Sequence, residues 1–341
     1  MIDQLVRDNI KAMEAYASAR HDFTGKGQVF LDANESPFPN GLNRYPDPLQ
    51  TKVLHRLATL TGIDKDQIIL GNGSDEIIDL VLRTFCEPKQ DNIIVCPPTY
   101  GMYKVSAAIN NIEIRQAPLQ ENFQLDLEGI AENISQRSKI IFICSPNNPS
   151  GNLLNRMDIE SLLKSFNGIV FVDEAYIDFA NQVSLIDLLD RHTNLIISQT
   201  FSKARASAGI RLGVAFASKT IIAYLRKIKP PYNINDLTAK AAIDQLDDSK
   251  FQTNINKIVT QRIYLAEEIS KISFVKKIFK SDANFLLIKV DNANMRYQQL
   301  LEKEIVVRNR SKELHCNDCL RITVGTNQEN LFLLKTLKAL Q

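Results

Sequence analysis

The sequence has no tryptophan, no apolar run long enough to cross a bilayer, and no excess of charge of either sign. The first absence excludes nothing. The second leaves no candidate transmembrane helix, which needs about 20 consecutive apolar residues. With 41 Lys+Arg against 39 Asp+Glu, a formal charge of +2, the basic residues are scattered among acidic ones. They form no stripe for nucleic acid or for an anionic membrane surface. The N-terminal stretch MIDQLVRDNIKAMEAY alternates charged with apolar residues, so no secretory signal is expected. The five cysteines, Cys86, Cys96, Cys144, Cys316 and Cys319, are an odd number in a long chain, which points to reduced thiols in a cytoplasm. Only HCNDC at 315–319 suggests a metal. A second ligand pair is missing, so a polar loop before the strand LRITVG is expected there, and no metal.

A chain of 341 residues gives a prior of about two domains. Between residues 65 and 225, short apolar runs (QIIL, NIIVC, IEIRQAPL, KIIFICSP, GIVFVDEAY, NLIISQT, LGVAFA) alternate with helix-length stretches. Continuous runs rich in Ile and Val, spaced this way, read as buried strands of a mostly parallel α/β sheet. The prolines and asparagines of KIKPPYNIND, 227–236, break the pattern. Beyond them, helical stretches and the strands NFLLIKV, EIVVRNR and LRITVG are grouped as in a smaller α+β domain.

Four stretches follow strands, where open α/β sheets bind ligands. ILGNGSDEII is a strand end, a glycine turn and a helix start: an anion site, or equally a plain helix cap with Ser74 capping. It matches neither the P-loop nor the dinucleotide fingerprint. VFVDEAYIDF ends an apolar strand on Asp173, an ionised carboxylate that needs a cation from the protein or from a cofactor ring nitrogen. CSPNNPSG holds Asn147 and Asn148 between prolines. TFSKARASAGIRLG surrounds Lys203 with small residues, so a bulky ligand can approach and a partly desolvated amine can act as nucleophile.

Singly, each stretch has an ordinary structural explanation. Together they supply Lys203 to form an imine, Asp173 for a pyridinium nitrogen, Asn147 and Tyr176 for a phenolic oxygen, and Ser74, Asp75, Ser202 and Arg211 for a phosphate. That is the donor set of a pyridoxal-phosphate site.

The segments LDANESPF, NRYPDP, GNGSDEII, CPPTYGMY, SPNNPSG, VDEAYIDF, TFSKARASAGIRLG and CLRITVGT, in order and spacing, resemble the fold type I pyridoxal-phosphate aminotransferases. CPPTYGMY and NRYPDP resemble the histidinol-phosphate branch of that family. The resemblance implies Lys203 as the Schiff-base lysine, Asp173 on the ring nitrogen, and Asn147 and Tyr176 on the ring oxygen. It implies Tyr100 stacked on the ring, and the backbone at Ser74 and Asp75 with Ser202 and Arg211 on the cofactor phosphate. It further implies a homodimer in which Tyr45 reaches the neighbouring site. Arg308, Arg321 and Tyr16 would grip the substrate phosphate, and the two arginines would also serve glutamate. Residues 1–35 would form an arm contributing to the small domain and the substrate site, 36–235 the large domain and 236–341 the small one. Ser207 departs from the family pattern, which commonly has leucine there.

The implied reaction is transamination of histidinol phosphate with 2-oxoglutarate. An aromatic or other amino-acid aminotransferase and a phosphothreonine-type decarboxylase remain as rivals on the same fold. A cofactor-fold binding protein without turnover would usually carry a DNA-binding module, and no extra domain is expected before residue 30 or after residue 330.

Overall fold

The computed structural model describes residues 2–15 and 29–341; Tyr16 lies outside them. Seven strands form the first sheet: β1 Ile68–Asn72, β2 Asn92–Val95, β3 Glu113–Gln116, β4 Ser138–Cys144, β5 Ile169–Asp173, β6 Leu195–Thr200 and β7 Leu212–Ala217, in the order β1-β7-β6-β5-β4-β2-β3. The strand pairs among β2 to β6 are parallel, and β7 runs antiparallel to both neighbours. The short connection explains the reversal. Only residues 201–211 separate β6 from β7, whereas a parallel return needs a crossover of about a dozen residues or more, usually a helix.

Both faces of this sheet are covered, which is why its strands read as continuous apolar runs rather than alternating ones. Ile141, Ile143, Val170 and Val172 are buried on one side, and Ile140, Phe142, Ile169 and Phe171 on the other. The reversed β7 has one large consequence. Its amino end lies at the edge where the parallel strands end, so Arg211, just before it, meets Gly73, just after β1: Gly73 N donates to Arg211 O over 2.7 Å.

The N-terminal segment corrects one expectation. Instead of joining the smaller unit, the helices Ile2–Leu5 and Asp8–Ala12 place Ile2, Val6 and Ile10 in the core of the first sheet. Val6 sits at the break between the two helices, and the three side chains are buried together. Arg7 Nε fixes them to Glu87 Oε2 at 2.9 Å. The helix Asp236–Leu246 also packs on the first sheet's side, with Ala242 and Leu246 in its core and Asp247 paired to Arg56 at 2.6 Å.

The helix Phe251–Ile269 then leads to a second, antiparallel sheet ordered β10-β11-β9-β8, from β8 Val275–Ile278, β9 Phe285–Val290, β10 Arg308–Asn309 and β11 Cys319–Thr323. Leu286, Ile288, Leu320 and Ile322 face Leu265, Ile269, Leu333 and Leu337 of the helices Phe251–Ile269 and Asn327–Ala339. The HCNDC segment is a turn, as expected, but Cys316 and Cys319 are fully buried, and no metal-holding cluster occurs among the described residues.

Candidate active site

A cavity of ≈ 440 Å³ opens at the carboxyl edge of the first sheet and is closed from the other side by the second sheet. Ser74, Asp75, Tyr100, Asp173, Tyr176, Ser202, Lys203 and Arg211 line it from one side, and Arg308 and Arg321 from the other. Cys144, Asn148, Thr200 and Arg310 also line it.

Asp173 is the last residue of β5, in register with Cys144 of β4 and Ser198 of β6, and is almost fully buried. Its Oδ2 accepts from Tyr103 Oη at 2.8 Å and its Oδ1 from Ala175 N at 3.1 Å. Burial pushes its pKa up to about 6, while the Tyr103 and Ala175 bonds act in the opposite direction. Among the described residues no salt bridge reaches this carboxylate. Lys203 acts on it only from beyond salt-bridge distance, so a cation bound against this carboxylate would be favoured.

Lys203 lies in the loop after β6, its ammonium 5.6 Å from the centre of the Tyr176 ring. Burial, followed by repulsion from Arg321, lowers its pKa, and Asp173 resists the shift. An amine held this way loses its proton more readily than a solvated lysine.

At Ser74 the helix Gly73–Phe85 begins, and its first N–H groups and dipole make an anion site. Gly73 has φ +75°, and a Cβ there would lie 2.7 Å from Arg211 Nη2. Only glycine lets the guanidinium sit over the helix start. Gly213 performs the same service from β7: a Cβ there would lie 2.4 Å from Ser74 N. Tyr100 Oη donates to Asp75 Oδ1 at 3.0 Å, and Asp75 Oδ2 is 3.7 Å from Arg211. Burial and Asp75 raise the Tyr100 phenol, so it stays protonated.

These residues fit pyridoxal phosphate on their own geometry. A buried carboxylate has no salt-bridge partner, a lysine of lowered pKa faces the same cavity, and a glycine-built cradle with Ser202 and Arg211 presents donors for a phosphate.

One assignment made from the sequence changes, a second concerns the neighbouring subunit's site, and a third falls outside the described residues. Asn147 does not line the cavity: its amide is spent inside the turn, donating to Pro98 O at 3.0 Å and Ser150 Oγ at 2.7 Å. Its neighbour Asn148 takes the place, with Oδ1 accepting from Arg321 Nη1 at 2.5 Å. Tyr45 lines a separate hollow with Arg44 and Leu237, is half-exposed, and stacks on Tyr232 at 4.6 Å. Tyr16 is outside the described residues. Tyr103, Thr200 and Arg310 were not singled out by sequence. Tyr103 had a visible signal, a second tyrosine three residues after Tyr100 in CPPTYGMY, and Arg310 stands two residues after Arg308.

Residues 30–337 match the family model of aminotransferase class I and II. The chain belongs to the class I and II aminotransferases. Among its relatives, this aminotransferase is 52% identical over 341 residues to the histidinol-phosphate aminotransferase of Flavobacterium psychrophilum, covering 99% of each chain. It is 53% identical over 345 aligned residues to that of Christiangramia forsetii, covering 100% of this chain and 98% of the other. The crystal structure of the histidinol-phosphate aminotransferase from Clostridium acetobutylicum superposes with a TM-score of 0.81 at 29% identity, covering 88% of this chain and 91% of that one. The fold type I architecture expected from the sequence, a large mostly parallel sheet with a smaller α+β unit, is the one observed.

Proposed function

We propose that this aminotransferase moves the amino group of L-histidinol phosphate to 2-oxoglutarate, giving imidazole-acetol phosphate and L-glutamate in histidine biosynthesis, with pyridoxal 5'-phosphate as cofactor. One observation carries the choice of substrate. Arg308 and Arg321 stand directly opposite each other on β10 and β11, and both line the cavity that holds Lys203 and Asp173. Guanidinium forks match phosphate and carboxylate oxygens alike, so one pair can serve both half-reactions. The relatives matched over their full length are named for this reaction and not for decarboxylation, so the decarboxylase reading is set aside.

When bound, pyridoxal phosphate supplies an electron sink for the carbon that loses a proton. Lys203 would hold it covalently, Asp173 would face its ring nitrogen, Asn148 and Tyr176 its ring oxygen, and Ser74, Asp75, Ser202 and Arg211 its phosphate. Tyr100 would cover the ring face. Asp173 would stabilise positive charge on a ring nitrogen placed against it, because its own carboxylate is too deeply buried to be balanced by water. Lys203 Nζ, its pKa lowered by burial, would be the base that takes the substrate α-proton and holds it for return. Arg321 is braced by Asn148, so the substrate's anionic end is held while the proton moves.

The enzyme acts as a homodimer in this reading. Tyr45, beside the strongly exposed Leu42 and Leu237, offers a surface for a second copy and would reach the cofactor phosphate of that copy. Tyr16 would close on the substrate phosphate. A cytoplasmic location belongs to the same reading; the five cysteines are free thiols, and no helix among the described residues is long and apolar enough to cross a membrane. We place the large unit at 36–235 and the small one at 236–341, with Asp236–Leu246 still packed on the former.

The test compares kcat/KM for histidinol phosphate with that for phenylalanine. A preference of about 100-fold or more for the phosphorylated amine is expected from two charge-assisted contacts. Indifference to the phosphate would overturn the assignment.

A further inference from the structure

We propose that Arg310 is a third specificity-determining arginine, which binds the substrate phosphate together with Arg308 and Arg321. The proposal rests on the functional reading above and concerns a residue that reading does not need.

β10 is two residues long, with Arg308 paired to Arg321 and Asn309 to Leu320. The chain keeps to that line for one further residue, because Arg310 N donates to Cys319 O at 2.8 Å. Side chains two apart on an extended segment share a face, so Arg308 and Arg310 both turn toward the cavity, and both line it. Three guanidinium groups thus meet on one wall.

Their charge is poorly balanced by the protein itself. Among the described residues, neither Arg308 nor Arg321 has a salt bridge, and Arg310 has a single long one, 3.6 Å from Nη1 to Glu313 Oε1. Arg310 Nε is buried and has no hydrogen-bond partner. Arg321 has already committed Nη1 to Asn148. Repulsion from Arg308 and Arg310 also lowers the pKa of Arg321, after burial, which is the larger cause. Like charges directly opposed on neighbouring strands are destabilising.

A dianion with three terminal oxygens resolves this arrangement; a carboxylate, with one charge and two oxygens, needs only two of the three arginines. Arg310 therefore separates the two half-reactions: it serves the phosphorylated amine and is dispensable for glutamate. Glu313 holds it in the meantime.

The experiment uses the loaded enzyme with Arg310→Gln and Arg310→Lys, measuring KM and kcat for histidinol phosphate and for glutamate. The inhibition constant of inorganic phosphate is measured alongside. Arg310→Gln is expected to raise KM for histidinol phosphate about 10- to 100-fold and the phosphate inhibition constant by about tenfold or more, with kcat and the KM for glutamate changed less than about threefold. Arg310→Lys recovers part of the loss, since it keeps the charge but not the fork. Glu313→Gln gives an independent arm should the Arg310 variants fail to fold: freeing the guanidinium lowers KM for histidinol phosphate. Unchanged phosphate affinity in Arg310→Gln, an equal loss for both substrates, or no effect of Glu313→Gln in place of an unfolded Arg310 variant overturns the proposal. A wild-type enzyme that does not prefer histidinol phosphate would instead sink the functional reading.

Discussion

The hydroxyl of Tyr103 donates to Oδ2 of Asp173 over 2.8 Å, and both side chains are buried. Tyr103 stacks on Phe142 at 4.9 Å and meets the edge of Tyr100 at 5.6 Å, so its position is set by packing on two sides. It steadies the carboxylate proposed to face the ring nitrogen and favours its ionised form. Asp75 acts against ionisation and Lys203 in favour of it, while Cys144 shares the same pocket of titratable groups.

Tyr103→Phe removes that donor and leaves the ring packing. The Asp173 pKa then rises further, and the acidic limb of the kcat/KM profile moves to higher pH by about one unit. The dissociation constant for pyridoxal phosphate, measured by titrating the apoenzyme, rises about tenfold. An unchanged acidic limb with unchanged cofactor affinity would reduce Tyr103 to packing.

Asp173 itself weighs on the stability of the apoenzyme. Its folded pKa of about 6 lies above the ordinary carboxylate value, so the folded state holds the proton more tightly than the unfolded chain does. Stability from this group is full below about pH 4 and is lost as pH rises through 6, an amount on the order of 3 kcal/mol. Asp173→Asn keeps an acceptor for Tyr103 and carries no charge. Its apoenzyme is expected to melt a few degrees above the wild type at pH 7, with the difference vanishing near pH 4, while transamination is abolished. A variant less stable than wild type at pH 7 would contradict this reading of the buried carboxylate.

The two asparagines of SPNNPSG separate fold from function. Asn147→Ala strips donors from Pro98 O and Ser150 and is expected to destabilise the protein by about 1–3 kcal/mol. Asn148→Ala leaves those bonds intact, frees Arg321, and lowers kcat/KM about 10- to 100-fold with little change in melting temperature. Thermal melting and steady-state kinetics on the two variants distinguish the roles; reversed outcomes would return the site role to Asn147.

The sequence made the buried strands and their carboxyl-end residues legible, because β4, β5 and β6 are covered on both faces and so read as unbroken Ile, Val and Phe runs. Lys203 and Asp173 stood after such runs, and the set they form with the other strand-end residues singled them out. Asn147 and Asn148 are chemically identical, and their selection depends on the turn's path, which no spacing encodes. β8, VKKI, has two exposed lysines at its centre and gives no apolar alternation. EIVVRNR looks like a full strand, but only Arg308–Asn309 pair, since Val306 is 79% exposed. The cluster of Arg308, Arg310 and Arg321 arises from register across two strands far apart in the chain, a relation local patterns do not carry. The placement of Ile2, Val6 and Ile10 was not legible, because their partner surface, the helix Lys219–Ile228, lies about 200 residues away.

The central claim is that Lys203 carries the cofactor, and the direct test is borohydride reduction of the loaded enzyme, followed by proteolysis and mass spectrometry. A single pyridoxyl-phosphate addition on the peptide containing Lys203, lost in Lys203→Ala, is the expected result. Addition at another lysine, or none on enzyme saturated with pyridoxal phosphate, would contradict it.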